Sequence, residues 1–509
     1  MYMSQINVSS LSFGYDGSFD NIFENVSFSL DTEWKLGFIG RNGKGKTTFL
    51  KLLTGAMQYN GTITSNTVFR YFPYEVREDL PELPAAEFLE ELRPGCESWR
   101  VICDLSLLGE DAELLYRPFG RLSPGQRTKI LLALLFSGEN EFLLIDEPTN
   151  HLDSGAREKI RDYLASKSGF ILVSHDRDLL DACVDHVLVL NRGSIEVQKG
   201  NFSSWWENKK KRDSFAVSEN EKHLKEIKKL KQAAKRTAEW ADKSERSKIG
   251  FDPIKENDRS ISTRSIIGAK TKKMQSRVTN LENRISREID EKEGLLTDIE
   301  HVRELKLTPL EYPKRTLVNV REYSFVYEDP HVPVIDRLTF SIERGERVAL
   351  HGGNGCGKTT LIKRILYGAG EKSLAGFTES GTFEVGTGLI ISYVDQDTSA
   401  LSGNITAFCE KRGIDRSIFC TILRHLDFER TQFEKDFSDY SEGQKKKVLI
   451  AASLATPAHL YIWDEPLNYI DIFSRMQIED LLLEYKPTLL FVEHDTMFRQ
   501  KIASKVVEI

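Results

Sequence analysis

The sequence predicts an α/β protein made of two tandem copies of one domain, which are joined by an antiparallel α-helical hairpin. The first observation is a duplicated motif, G-x-x-x-x-G-K-[ST], because Gly40–Thr47 and Gly352–Thr359 both match it and lie 312 positions apart. The second is a stretch of about 100 residues between the copies, in which apolar residues keep helical spacing. The total of 509 residues accommodates both features, since one domain usually takes roughly 100–200 residues.

The predicted boundaries place the first copy at residues 1–204, the hairpin at 205–308 and the second copy at 309–509. The longest apolar stretches are far shorter than the roughly 20 residues that cross a bilayer. The N-terminus also lacks a basic region followed by an apolar signal core. The six cysteines show no C-x-x-C pairing, which argues against zinc, iron–sulfur clusters and a disulfide framework. We therefore expect a cytoplasmic protein.

The two G-x-x-x-x-G-K-[ST] segments have the composition of phosphate-binding loops. Glycines allow close backbone approach, and successive N–H groups at a helix N-terminus point at phosphate oxygens. Lys46 and Lys358 would supply positive charge to the terminal phosphates of ATP. One such loop is a moderate signal, but its repetition with the same downstream motifs leaves chance little room.

Each phosphate loop is followed by the same set of polar residues. Asp146 and Asp464 both end apolar runs that are typical of buried parallel strands, and we expect them to contact Mg²⁺ directly or through water. The hydroxyls of Thr47 and Thr359 would contact the same metal. The neighbouring residues Glu147 and Glu465 are then placed to orient or deprotonate the attacking water. The alternative for each Asp-Glu pair is a simple turn at a strand end.

A histidine and a serine motif complete each set. His175 follows Glu147 by 28 residues, and His494 follows Glu465 by 29. The segments Ser-Pro-Gly-Gln and Ser-Glu-Gly-Gln begin at Ser123 and Ser441, each 24 residues before the glutamate. Each histidine comes just after a predicted strand, which favours a functional role over that of a satisfied core residue.

The serine segments resemble the signature motif of ABC ATPases, and the histidines resemble the switch histidines of that family. The resemblance implies two ABC-type P-loop ATPase domains that close head to tail within one monomer. ATP would then lie between the phosphate loop of one domain and the signature of the other, with ATP and Mg²⁺ as cofactors. Tyr15 and Tyr327 resemble the adenine-stacking aromatics of the family, although either could be a core residue. The residues expected to bind ATP are Tyr15, Gly40, Asn42, Gly43, Gly45, Lys46, Thr47, Thr48, Ser123, Gly125, Gln126, Tyr327, Gly352, Asn354, Gly355, Gly357, Lys358, Thr359, Thr360, Ser441, Gly443 and Gln444.

Within that family the fused pair and the helical linker resemble the ABC-F class of ribosome-binding translation factors. The segment 460–471 is similar to that of antibiotic-resistance members, especially the Lsa-type group. This resemblance implies binding to the exit site of the 70S ribosome, with contacts to 23S rRNA and P-site tRNA. It further implies protection against lincosamides, pleuromutilins and streptogramins A. Two alternatives stay open: a housekeeping factor for stalled ribosomes, and the ATPase subunit of a drug exporter.

The hairpin carries the charge expected for such a partner. Residues 207–306 contain 26 Lys and Arg against 19 Asp and Glu, whereas the whole chain has a net charge of −7. Clustered cations without counter-charges favour a polyanionic partner such as RNA, the alternative being a solvated helical face. The predicted tip, at about 248–264, would present apolar groups to unstacked bases or simply pack as a loop. The expected ribosome contacts are Ile249, Phe251, Pro253, Ile254, Arg259, Arg264, Lys270, Lys272, Lys273 and Arg277.

The two halves also differ. Tyr74 stands where ABC ATPases commonly have a metal-contacting glutamine, whereas the second half has Gln396 there and is expected to use it for the metal. Pro124 removes a backbone donor from the first signature. The sequence therefore predicts two ATP sites that turn over unequally.

Overall fold

A computed structural model describes residues 5–15, 21–74, 76, 82–150, 152–191, 194–246, 284–285, 309–327, 332–370, 376–428 and 430–509. The chain falls into two compact units. The first contains Met1–Trp205 together with Arg303–Ile509, and the second contains Trp206–Val302. Both phosphate loops lie in the first unit. We call its two halves domain 1, up to residue 199, and domain 2, from residue 309.

Domain 1 consists of a mixed sheet, a small antiparallel sheet and the helices that pack on them. Its strands are β1 (Gln5–Phe13), β2 (Phe23–Asp31), β3 (Lys35–Ile39), β4 (Asn60–Thr64), β5 (Val68–Phe72), β6 (Glu141–Asp146), β7 (Phe170–Val173), β8 (His186–Leu190) and β9 (Ile195–Lys199). Its α-helices are α1 (Lys46–Leu53), α2 (Ala85–Leu92), α3 (Ser98–Leu107), α4 (Pro124–Phe136), α5 (Ser154–Ala165) and α6 (Arg177–Cys183). The larger sheet has the order β5-β6-β7-β3-β8-β9, and β9 pairs antiparallel with β8 while the other pairs are parallel.

The central strands are apolar along their whole length because both faces of the sheet are covered. All four residues of β7 are buried, as are Phe142–Ile145 of β6. The small sheet, of order β2-β1-β4, shares its core with α1 and the large sheet: Phe23, Phe49 and Phe142 belong to one buried cluster. This core fixes the carboxyl ends of β3, β6 and β7 side by side, where open α/β sheets bind their ligands.

Domain 2 repeats this architecture. Its strands are β10 (Thr316–Tyr327), β11 (Val332–Glu343), β12 (Arg347–His351), β13 (Phe377–Val385), β14 (Ile391–Val394), β15 (Leu460–Asp464), β16 (Leu489–Val492) and β17 (Lys505–Glu508). Its α-helices are α8 (Lys358–Gly368), α9 (Ile405–Arg412), α10 (Arg416–His425), α11 (Glu442–Ala455), α12 (Ile472–Tyr485) and α13 (Thr496–Ile502). The parallel order β14-β15-β16-β12-β17 matches β5-β6-β7-β3-β8 strand for strand, so the duplicated motifs occupy equivalent positions.

The first arm of the predicted hairpin is a single helix, α7 (Phe202–Arg246), whose 45 residues span about 67 Å at 1.5 Å per residue. It contains neither Gly nor Pro and is rich in Lys, Glu and Ala, which favour helix. Its apolar stripe is narrow, because Ile227 is buried while Leu224 is 49% exposed. Arg284 and Ile285 are also helical. All ten expected ribosome contacts lie outside the described residues, so the tip and the hairpin topology stay predictions.

No helix among the described residues combines the length and the apolar character that crossing a membrane requires.

Candidate functional site

Each phosphate loop joins a central strand to a helix through a glycine that no other residue could replace without strain. Gly45 and Gly357 precede α1 and α8 with φ of 104° and 103°, a left-handed conformation. A Cβ at Gly45 would lie 2.4 Å from Ile22 Cγ2, and one at Gly357 would lie 2.7 Å from Val334 Cγ1. These turns direct the first N–H groups of each helix into the loop, which creates a site for phosphate.

The loop lysines are buried and held inside their loops. Lys46 Nζ donates to the carbonyl of Gly40 at 2.6 Å and to Asn42 Oδ1 at 3.2 Å. Lys358 Nζ donates to the carbonyls of Gly352 and Gly353 at 2.9 and 2.7 Å. Each ammonium group therefore sits where the terminal phosphates of a nucleotide would meet it.

The expected metal ligands lie beside the loops. Thr47 Oγ1 donates to Asp146 Oδ2 at 2.8 Å, and Thr359 Oγ1 donates to Asp464 Oδ2 at 3.1 Å. Gln396 Nε2 donates to Asp464 Oδ1 at 3.0 Å. Hydroxyl, amide and carboxylate oxygens suit Mg²⁺, which is usually held by one or two carboxylates together with substrate phosphates. In the described part of the chain no group of three or more His, Cys, Asp or Glu side chains could hold a metal ion alone.

Site one differs from this pattern at the glutamine position. Tyr74 is surrounded by Arg93, Arg70 and Glu141, and burial raises the pKa of its phenol. Tyr71 takes the place beside the aspartate instead, and its hydroxyl donates to Asp146 Oδ2 at 3.1 Å. The equivalent Tyr393 faces Asp395, so sequence comparison of the halves gave no sign that Tyr71 would contact Asp146. A metal at site one would thus have Thr47 and Asp146 as ligands. The phenol of Tyr71 stands where site two has the amide of Gln396.

The two glutamates and histidines form equivalent pairs. His175 Nε2 lies 3.3 Å from Glu147 Oε1, and His494 Nε2 lies 3.3 Å from Glu465 Oε1. Both glutamates have positive φ, 52° and 48°, a strained conformation that is common at functional sites. The strands explain the proximity, because Asp146 pairs with Val173 and Asp464 with Val492 in register, and each His follows two residues later.

The environments of the two glutamates are unequal. Burial, and then the neighbouring Asp146, raises the pKa of Glu147 to about 8. Burial alone would also raise the pKa of Glu465, but His494 and Asn468 hold it below its ordinary value. Asn468 Nδ2 donates to Glu465 Oε2 at 2.9 Å, whereas Glu147 Oε2 accepts the main-chain N–H of His175 at 3.4 Å. At neutral pH the carboxylate of Glu465 is therefore ionised to a greater extent.

The two tyrosines proposed for adenine stacking are held in the same way. Tyr15 lies with its hydroxyl 2.9 Å from Thr48 Oγ1, and Tyr327 with its hydroxyl 3.2 Å from Thr360 Oγ1. Each ring also makes an edge contact with the phenylalanine two positions before it in the chain. Both rings are thus fixed at the mouth of a phosphate loop.

The second signature lies against the first phosphate loop. A Cβ on Gly443 would lie 3.3 Å from Asn42 Nδ2, and Asn42 Nδ2 donates to the carbonyl of Tyr469 at 2.7 Å. In both signatures the serine and glutamine form a reciprocal N-terminal cap, Ser123 with Gln126 and Ser441 with Gln444. Pro124 is the first residue of α4, where a helix has no use for its N–H. The structure therefore brings Gly443 of the second signature beside Asn42 of the first phosphate loop.

Site two contains a cavity of about 480 Å³, a size typical of small-molecule sites. Domain 1 contributes Arg157 to its wall, a residue that the motifs did not indicate. The residues that line the cavity are Arg157, Tyr327, Val334, Asn354, Gly355, Gly357, Lys358, Thr359, Thr360, Gln396, Glu465, Asn468 and His494.

Comparison with known proteins agrees with this geometry. The family model described as ABC transporter matches residues 23–150 and 335–468, one match in each domain. The chain belongs to the ABC transporter family. The predicted fold class of two tandem ABC ATPase domains is thereby confirmed, and the chain is an ABC-type ATPase.

Several ABC relatives extend over nearly the whole chain. ATP-binding protein Uup of Caulobacter vibrioides is 28% identical over 96% of this chain and 74% of its own length. Ribosome protection protein VmlR of Bacillus subtilis is 26% identical over 97% and 85%. ABC transporter F family member 2 of Arabidopsis thaliana is 25% identical over 99% and 76%. A solved structure of archaeal ribosome recycling factor aABCE1 with ribosomal stalk protein aP1 shares the fold, with TM-score 0.58, 18% identity, and coverage of 98% of this chain and 87% of that chain.

A second buried glutamate, Glu493, lies next to His494 in the chain and makes the stability of domain 2 depend on pH. Glu493 Oε1 accepts the N–H of Leu467 at 2.8 Å, and burial raises its pKa from 4.5 to about 7. Because the folded state prefers the protonated form, this stabilisation is complete below pH 4.5 and is lost as the pH rises through 7. The shift corresponds to about 3 kcal/mol.

We therefore expect Glu493→Gln, which keeps an acceptor for Leu467, to raise the melting temperature at pH 8 and to leave it nearly unchanged at pH 5. Differential scanning fluorimetry measures this, at roughly 2–4 °C per kcal/mol. The exposed Glu484 on α12 provides the control, since Glu484→Gln should change neither value. Equal melting temperatures of Glu493→Gln and the wild type at pH 8 would contradict the assignment.

Proposed function

We propose that this ATPase binds the 70S ribosome and uses its interdomain hairpin to displace antibiotics from the peptidyl-transferase centre. The observation that carries the proposal is the placement of one 45-residue helix, with its excess of cations, between two complete ATP sites. A helix of about 67 Å offers a long row of charge to a polyanion. The similarity to Ribosome protection protein VmlR along 97% of the chain supports the same partner.

ATP would act as the signal that closes the two domains. The contact of Gly443 with Asn42 means that a nucleotide on the first phosphate loop also meets domain 2. A ligand that binds only the closed arrangement stabilises that arrangement, and hydrolysis removes the stabilisation. Closure would then fix the positions of the two ends of the hairpin. The first end continues directly from domain 1 through Phe202.

The hydrolytic step would use the residues of each site in the same roles. The carboxylate of Glu465 accepts a proton from the attacking water, while His494 and Asn468 fix its orientation. Lys358 and the α8 N–H groups stabilise the charge that develops on the transferred phosphoryl group. A Mg²⁺ ion held by Thr359, Asp464 and Gln396 would neutralise charge on the phosphate oxygens.

At the ribosome the hairpin would reach 23S rRNA and P-site tRNA. Its cations would release counterions from phosphates, which makes binding strongly dependent on salt. The apolar tip residues Ile249, Phe251, Pro253 and Ile254 would contact unstacked bases. The protein would work in the cytoplasm, as a monomer whose two domains supply both halves of each site.

A variant that binds ATP without hydrolysing it tests the ribosomal partner. Glu147→Gln/Glu465→Gln is expected to co-sediment with 70S ribosomes in ATP and to remain largely in the supernatant in ADP. Raising the salt should release it, by a factor that grows with the number of phosphate contacts. Absence of the double variant from the ribosomal pellet in ATP would rule out any function on the ribosome.

Drug susceptibility separates protection from a housekeeping role. The wild type, expressed in a susceptible bacterium, should raise the minimum inhibitory concentrations of lincosamides, pleuromutilins and streptogramins A. The double Glu→Gln variant should not, and macrolides serve as the comparison class. Ribosome binding with unchanged inhibitory concentrations would leave the housekeeping function in place of drug displacement.

A further inference from the structure

A buried ion pair crosses between the two ATPase domains next to the histidine of site one. Arg177 begins α6, two residues after His175, and is only 6% exposed. Its guanidinium donates to both carboxylate oxygens of Glu479 in domain 2, with Nη1 at 3.2 Å from Oε2 and Nη2 bonded to Oε1. A two-pronged contact of this kind fixes orientation as well as distance.

The partners of Arg177 connect it to the switch segment of the other site. Glu479 lies on α12, is fully buried and also accepts a hydrogen bond from Lys501 at 3.0 Å. Arg177 Nη2 lies 3.9 Å from Oδ1 of Asp495, the residue that directly follows His494. Asp495 in turn accepts from Arg475 Nη1 at 3.0 Å. One charge cluster therefore joins the segment that carries His175 to the segment that carries His494.

The Arg177–Glu479 pair has no equivalent among the described residues on the opposite side of the domain pair, although Arg157 and Asp176 repeat the contact of Arg475 with Asp495. The residue that matches Arg177 in domain 2, two positions after His494, is Thr496. The residue that matches Glu479 in domain 1 is Arg161, since each lies eight positions after the aspartate that caps α5 or α12. Arg161 bonds to its neighbour Asp162 instead. The two-pronged bond therefore ties only the segment that carries His175 to a helix of the opposite domain.

Desolvation makes the buried Arg177–Glu479 pair costly in free energy. Removing two charges from water offsets most of their attraction, so a buried pair is weak evidence for stability. Its defined geometry instead fixes one relative position of α6 and α12. Since α6 follows His175 directly, that position also sets where His175 meets Glu147.

We propose that Arg177 is a positioning residue for hydrolysis at site one, and that it acts through Glu479 by locking the His175 segment to domain 2. The lock makes hydrolysis at site one depend on the position of α12, whereas the His494 segment meets Arg177 only through Asp495, at 3.9 Å. The inference concerns the ATPase reaction and does not depend on the ribosomal function proposed above.

Hydrolysis at each site can be measured separately in the single Glu→Gln backgrounds. In Glu465→Gln, which leaves Glu147 active, Arg177→Met is expected to lower kcat at least tenfold with KM changed less than twofold, since misplacement of a reacting group by about 1 Å can cost roughly 10²-fold. In Glu147→Gln, the same change should leave kcat within twofold. Glu479→Gln should lower kcat at site one to a similar extent. Arg177→Lys should lower it less than Arg177→Met does, because lysine keeps the positive charge but cannot make the two-pronged hydrogen bond.

Arg161→Met, at the matching position of domain 1, is the control and should affect neither background. Circular dichroism and melting temperature establish that each variant folds. Equal loss of kcat in both backgrounds, or no loss in Glu465→Gln, would overturn the proposal. A loss that appears in KM alone would overturn it as well, because that result indicates weakened nucleotide binding and not a misplaced His175.

Discussion

Glu465→Gln is expected to lower steady-state ATP hydrolysis more than Glu147→Gln does. Each substitution removes the carboxylate that we propose as the proton acceptor for the attacking water, an effect typically worth about 10²–10⁴-fold at the altered site. The loss in total rate then depends on which site was faster. Glu465 is ionised and oriented by both Asn468 and His494, whereas burial raises the pKa of Glu147 to about 8. Site two should therefore carry most of the turnover at pH 7.

Single-turnover measurements with radiolabelled ATP at saturating protein give the hydrolysis rate of each variant. We expect the residual rate in Glu465→Gln to be several-fold lower than in Glu147→Gln at pH 7, and the double variant to lose both phases. Asn468→Ala provides a further check, because it removes a contact made by Glu465 and should lower only the rate seen in Glu147→Gln. Indistinguishable rates in the two single variants would show that the different environments of Glu147 and Glu465 do not affect the rate of hydrolysis.

The sequence predicts that the two ATP sites turn over unequally, but the contacts that distinguish the two sites could not be predicted from it. Phosphate loops, strand ends and signature segments follow local patterns, so their positions could be predicted from spacing, whereas the reciprocal serine–glutamine caps were not predicted. The sequence shows the replacement at Tyr74, yet the contact of Tyr71 with Asp146 depends on how the side chains of Tyr71 and Tyr393 are oriented on the equivalent strands β5 and β14. Asn468 acts on Glu465 through a loop geometry that spacing does not encode.

Contacts between the domains were the least accessible to sequence reasoning. The head-to-tail resemblance implied that Gly443 would meet the first phosphate loop, but it gave no sign of Arg177 and Glu479, which are 302 positions apart. Neither residue belongs to a motif, and a buried charge pair has no local signature. The same is true of Lys447 and Asp471 within domain 2, whose pairing decides how α11 and α12 pack.

Lys447 and Asp471 form a buried ion pair that domain 1 does not repeat. Lys447 Nζ donates to Asp471 Oδ2 and to the carbonyl of Leu426, both at 2.9 Å. Asp471 also caps α12 by accepting the N–H of Ser474 at 3.0 Å. Although burial alone would raise its pKa, Lys447 and the Ser474 N–H hold the pKa of Asp471 well below its ordinary value. In domain 1 the matching Lys129 pairs with Glu110 instead, and Asp153 serves only as a cap.

Asp471→Asn is therefore expected to destabilise domain 2 by about 3–5 kcal/mol, the usual cost of leaving a buried charge without its partner. Asparagine is as good a helix cap as aspartate, so the loss comes from Lys447 alone. Hydrogen-exchange mass spectrometry of α11 and α12 measures the opening free energy within that domain. The matched control is Asp153→Asn, which should cost less than about 0.5 kcal/mol because no buried lysine depends on it.

A double-mutant cycle distinguishes loss of the pair from loss of either side chain. Lys447→Met removes the buried cation and fills similar volume, so Lys447→Met/Asp471→Asn should recover most of the stability that Asp471→Asn loses. Additive losses in the double variant would show that the two side chains stabilise domain 2 independently. Recovery would instead mean that the ion pair adds little net stability. The charge of Asp471 would then matter for its electrostatic effect on Lys46 and His175, which lie across the domain boundary. The recovered variant, stable but lacking that charge, should then show a changed rate at site one alone.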